Sequence, residues 1–135
     1  MKLNPDCIRD VLLWLEENQG MEQGFDGVLT GSVAEYLSTD MPQHLEDYSA
    51  DDVLYSIKQM IESGFLNGRR MNVAGADWYQ IQDITPMGHE FLGKVRSPEN
   101  WQKTKSIASK IGAVTLDVLG SVAGKVIAEL IKNSM

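Results

Sequence analysis

A single cysteine, Cys7, stands in the 135 residues, so no disulfide forms within the chain and no cysteine-rich metal site is available. Histidine is almost as scarce. His44 and His89 are the only two, neither belongs to an H-E-x-x-H or other paired-ligand spacing, and each reads as a surface or edge residue. Gly20, Gly24, Gly27 and Gly31 have the wrong spacing for a phosphate-cradling loop and no lysine follows them. The acidic clusters Asp10/Glu16/Glu17, Glu46/Asp47 and Asp51/Asp52 do not match a calcium loop and read as solvated surface. Cys7 falls in the first turn of a helix, where the dipole lowers a thiol pKa, but a buried small hydrophobe is its expected role. No catalytic set, cofactor site or metal site follows from these residues. The expectation is a non-enzymatic protein. Met1 leads straight into a capped helix without a signal peptide, which, with the lone cysteine, points to a cytoplasmic setting.

Positive charge is also in short supply, with 12 basic residues against 19 acidic ones and a net charge of −7. It is unevenly spread. Up to Arg96 there are 7 basic and 16 acidic residues, a net −9, whereas the remainder has 5 and 3, a net +2. The length fits one domain, or one small domain with an appendage.

Residues 49–92 organise the rest of the chain. Ser49 and Asp52 form an S-x-x-D pair ahead of Val53, Leu54, Ile57, Met60 and Ile61, which recur at helical spacing; Tyr55, Ser56, Lys58, Gln59 and Glu62 make up the outer face. Gly64 ends that helix, because it takes the left-handed conformation without a Cβ penalty. Residues 65–73 and 78–84 read as two strands joined by a loop at 74–77, with Tyr79 and Ile81 on the core side and Trp78, Gln80 and Gln82 on the other. Thr85-Pro86 then opens a further helix as N-cap and N1, with Phe91, Leu92 and Val95 on its apolar side.

Upstream, Asn4-Pro5-Asp6 starts a first helix with Ile8, Val11, Leu12 and Leu15 inward and Cys7 and Trp14 near the edge. A short strand is expected at 25–29, a short capped helix at 32–37, and a polar connection at 39–48. Helix, short strand, helix, helix, hairpin is the order of a winged helix. The stretches "MKLNPDCIRDVLLWLEEN", "YSADDVLYSIKQMIESGFL" and "ITPMGHEFLGKVRSPENWQKTK" resemble, over essentially the whole chain, a bacterial and prophage family of unknown function. The resemblance implies a winged-helix-like domain and a setting in mobile elements, and brings no catalytic residues with it. The expected fold is therefore α+β, mostly α: a winged helix-turn-helix-like domain at 1–96 and a long C-terminal helix at 97–135.

A winged helix raises the question of DNA. Phosphate contacts need Lys or Arg on the docking surface. Here the 49–63 helix offers Asp51, Asp52 and Glu62 against Lys58, and the wing adds Arg69 and Arg70 with Asp77 at its tip. The acidic balance disfavours a polyanion, although a dimer presenting Lys58, Arg69 and Arg70 is the alternative, that of a DNA-binding regulator. Tyr55, Lys58, Gln59, Arg69, Arg70 and Trp78 are the candidate contacts for a protein partner or for DNA.

Ser97-Pro98-Glu99 caps the last segment, expected as one helix reaching about Lys132. Along one line, four residues apart, sit Ala108, Gly112, Leu116, Gly120, Gly124 and Ala128, all small but Leu116, and glycines cost a helix about 1 kcal/mol each. Close backbone approach is the compensation expected. Ile107, Ile111, Gly112, Gly120, Gly124 and Ala128 are the candidate self-association residues, making a homo-oligomer with a further, unidentified protein partner the expectation. Residues 111–131 have the length of a membrane span, but Asp117, Lys125 and Glu129 inside it each cost about 2.5–3.5 kcal/mol near a bilayer centre. A membrane-active effector is the third reading. Lys103, Lys105 and Lys110 read as a solubilising stripe or as an anchor for an acidic partner, another copy included.

Overall fold

The computed structural model describes residues 2–18, 45, 47–73, 76–112 and 114–134, with backbone alone at 18, 50, 71–73, 76–78 and 80. The strand expected at 25–29, the helix at 32–37 and most of the 39–48 connection lie outside the described residues. Helix α1 (Pro5–Asn18) begins where Asn4 Oδ1 accepts from the Cys7 amide at 3.2 Å. Helix α2 (Ala50–Glu62) begins where Ser49 Oγ accepts from the Asp52 amide at 3.1 Å, and it ends at Gly64 with φ +81°. Each capping residue thus satisfies an amide that the first turn leaves unpaired.

Strands β1 (Leu66–Val73) and β2 (Ala76–Ile84) pair antiparallel, from Leu66 opposite Ile84 to Val73 opposite Ala76. The ribbon is longer than a loop at 74–77 implied, because residue 76 and Asp77 already pair. The register shifts between Asn67 and Gly68, which face Asp83 and Ile81 and leave Gln82 as an extra residue. That bulge has a purpose. Strict alternation would send Ile84 to the face opposite Tyr79 and Ile81; one inserted residue restores the phase, and all three are buried while Gln82 is exposed. The Asn67 side-chain amide donates to Asp83 Oδ1 at 2.6 Å beside the bulge.

Helix α3 (Pro86–Val95) follows, its N-cap Thr85 accepting from the Gly88 amide at 3.0 Å. The expected single C-terminal helix is instead two: α4 (Pro98–Ile111) and α5 (Leu116–Ser134). Gly112 is the reason. It adopts φ +85°, and its amide donates back to the Ala108 and Ser109 carbonyls, closing α4. Thr115 then starts α5, its hydroxyl accepting from the Val118 amide at 3.2 Å.

The chain divides into two compact units, Met1–Gly88 and His89–Met135. Ile8, Val11, Leu12 and Leu15 of α1, with Val53, Ile57 and Met60 of α2, form the core of the first unit along with Tyr79, Ile81 and Ile84. Leu54 and Ile61, expected on the buried face of α2, are only half-buried, whereas Ser56, expected outside, is fully buried. Ser56 stands three residues after Val53 and four before Met60, in the middle of the apolar arc. Its small side chain lies beside Cys7, which is itself fully buried, as is most of Trp14. Neither lies at the helix edge.

Gly88 and Gly93, both in α3, differ sharply in their surroundings. A Cβ at Gly88 would press on the Phe65 carbonyl oxygen and come within 2.7 Å of Ile84 Cγ2, whereas one at Gly93 meets nothing within 4 Å. Gly88→Ala is therefore expected to destabilise the chain by about 1–3 kcal/mol. Gly93→Ala is expected to stabilise it by about 0.4–1 kcal/mol. Urea denaturation of the two variants checks both signs.

Candidate functional site

The first candidate group spans α2 and the ribbon. Tyr55, Lys58 and Gln59 are half-buried on α2. Arg69 and Arg70 are exposed, and both already engage neighbouring groups. As consecutive strand residues they leave opposite faces of the ribbon, which keeps them from forming one cationic patch. Trp78 pairs with Met71 through the backbone, and its side chain lies outside the described residues. Around them Asp51 and Glu62 are exposed. The arrangement leaves a cationic contribution from single, separated side chains beside acidic ones.

The second group lies in the unit from His89 onward. Trp101, Thr104 and Ala108 of α4 and Leu116, Leu119, Val122, Ala123 and Val126 of α5 are buried. Thr104 solves its burial by donating its hydroxyl to the Asn100 carbonyl at 2.8 Å. The Lys105 ammonium lies 5.6 Å from the centre of the Trp101 ring. What stays outside is unusual for a chain of this size. Ile107 (43%), Ile111 (58%), Leu130 (37%) and Ile131 (56%) are four of the five exposed large hydrophobics among the described residues. Ile107 and Leu130 line a groove of about 410 Å³ between α4 and α5, together with Lys103, Ser106, Val126, Glu129 and Asn133.

Gly112 is the left-handed cap of α4, while a Cβ at Gly120 would lie 3.8 Å from the Phe91 ring and one at Gly124 3.7 Å from Lys94 Nζ, both ordinary contact distances. Ala128 is exposed. Of the six residues expected at a self-association surface, Ile107 and Ile111 present large apolar side chains to the outside and Ala128 a small one. Leu130 and Ile131 were not among the six; the i, i+4 pairs Val126/Leu130 and Ile127/Ile131 were the available signal.

The family described as "Hypothetical protein (DUF2513)" matches residues 2–115. The chain belongs to this family. Its matched region ends at the N-cap of α5, so the helix carrying Leu130 and Ile131 lies beyond it. A protein of Haemophilus influenzae, described as uncharacterized, is 26% identical over 132 residues, covering 97% of this chain and 99% of its own length. No solved structure matches. Among the described residues, no helix is long and apolar enough to cross a membrane, and no three or more His, Cys, Asp and Glu side chains group to hold a metal ion.

In this DUF2513 member two of the described titratable groups, Cys7 and Tyr48, depart clearly from their ordinary values. Burial pushes the Cys7 thiol up to about 11; the Ser56 hydroxyl opposes that shift, while Asp52 and Asp10 add to it. Burial and the 2.6 Å hydrogen bond that the Tyr48 hydroxyl donates to Asp10 Oδ2 raise the Tyr48 phenol well above its ordinary range. These shifts suppress nucleophiles rather than activate them. Ser56 Oγ finds no partner with hydrogen-bond geometry among the described residues.

Cys7 yields a pH prediction. Its folded pKa exceeds the ordinary 9.0, so its contribution to stability is intact below pH 9 and is lost as pH rises toward about 11. The free energy of unfolding should fall across that window more steeply for the natural chain than for Cys7→Ala. At pH 8 a disulfide reagent should label the native thiol only as fast as the fold opens.

Proposed function

We propose that this chain is a non-enzymatic protein-interaction module, a winged-helix-like unit that self-associates through its helical C-terminal unit. The observation that carries the reading is the exposure of Ile107, Ile111, Leu130 and Ile131 on α4 and α5, with Ile107 and Leu130 lining one groove. Single exposed aliphatics are ordinary, but four on two adjoining helices leave apolar surface of the kind that partners cover. The order helix, antiparallel ribbon, helix supports the winged-helix part. Tyr55, Lys58, Gln59, Arg69, Arg70 and Trp78 form its proposed surface for another protein. The acid-rich composition up to Arg96 makes a partner other than nucleic acid the better match.

The test is solution mass. Natural full-length chain should sediment as an oligomer, and Ile111→Asp and Ile131→Asp should shift it toward the 15.0 kDa monomer. Each substitution removes an aliphatic contribution of about 1.5–3 kcal/mol per copy from a covered face. Both positions are exposed in the single chain, so the helical circular dichroism should not change. A natural chain that is monomeric at all accessible concentrations overturns the reading.

A further inference from the structure

The groove between α4 and α5 has one cationic and one anionic wall. Lys103 lines it from α4 and Glu129 from α5, together with Ile107, Val126 and Leu130. Neither charge forms an ion pair with any described residue, although both border the same groove. Apolar side chains accompanied by opposite charges from the two helices are the composition of an interface core with a polar rim.

From this geometry we infer that two copies pair face to face about a two-fold axis running along the groove, so that Lys103 meets Glu129 of the partner subunit. The inference rests on the self-association reading and adds the register. A rotation about an axis along the groove sets α4 of one copy over α5 of the other, and each lysine then faces a glutamate. The contact occurs twice, as symmetry requires. A two-fold axis across the groove would instead lay α4 on α4 and α5 on α5, placing like-charged walls against each other. Charge therefore selects between the two closed arrangements, as complementarity does at interfaces generally. The same patch serves both copies, so the pairing ends at a dimer and does not propagate into a filament.

Charge reversal in the full-length chain tests this. Lys103→Glu and Glu129→Lys should each weaken the dimer about tenfold in sedimentation equilibrium at low salt, because each replaces two attractions by two repulsions. The double variant should recover to within about threefold of the natural chain, and added salt should narrow the differences. Single reversals that leave the dimer unchanged, or a double variant that does not recover, overturn the register. If Ile111→Asp still dissociates the protein in that case, self-association stands without it. A natural chain that stays monomeric and co-sediments with vesicles of anionic phospholipid overturns both and assigns the face to a lipid surface.

Discussion

The fold of the first unit turns on the backbone where α2 hands over to the ribbon and the ribbon to α3. Thr85 ties these together: its amide donates to the Phe65 carbonyl at 3.0 Å and its hydroxyl to the Gly64 carbonyl at 2.6 Å. The same hydroxyl accepts from the Gly88 amide, and the Phe65 amide donates to the Met60 carbonyl at 2.8 Å. One threonine thus joins a helix C-terminus to a helix N-terminus 21 residues later. The approach is close enough that residue 88 has no room for a side chain. Because the ends of the ribbon are held there, its register is set from the base, and the bulge at Gln82 then decides which residues reach the core.

Much of this was legible because caps are local chemistry. Asn4, Ser49, Gly64, Thr85-Pro86 and Ser97-Pro98 each announce a helix end through side-chain or backbone properties that act within three or four residues. The strand alternation of Tyr79 and Ile81 was equally local. The bulge was not, since an extra residue is defined only by its partner strand. Ser56 was misplaced for a related reason: a hydroxyl reads as polar, yet its position in the apolar arc of α2 overrides that preference.

Gly112, Gly120 and Gly124 illustrate how one pattern serves several causes. Spacing by four along a helix suggested a single seam for another helix. In the fold, Gly112 takes positive φ, while a Cβ at Gly120 or Gly124 would meet Phe91 or Lys94 at ordinary contact distance. A glycine's signal is the absence of a Cβ, and that absence carries no record of whether conformation or packing demands it. Splitting the segment at Gly112 also changes what the apolar residues do, since α4 and α5 can cover each other's buried stripes.

That mutual cover is incomplete, and the shortfall has a location. Burial along α5 ends at Val126, while the helix runs on to Ser134, about 12 Å further at 1.5 Å per residue. Short helical ends gain little from backbone propensity alone and depend on packing of an apolar face. Leu130 and Ile131 place such a face on these last two turns, and Ile107 and Ile111 place another on α4. Within one copy these side chains remain in water. Pairing of the proposed kind would give the end of α5 the packing that its own unit does not supply, while Lys103 and Glu129 would keep the joined faces in one register.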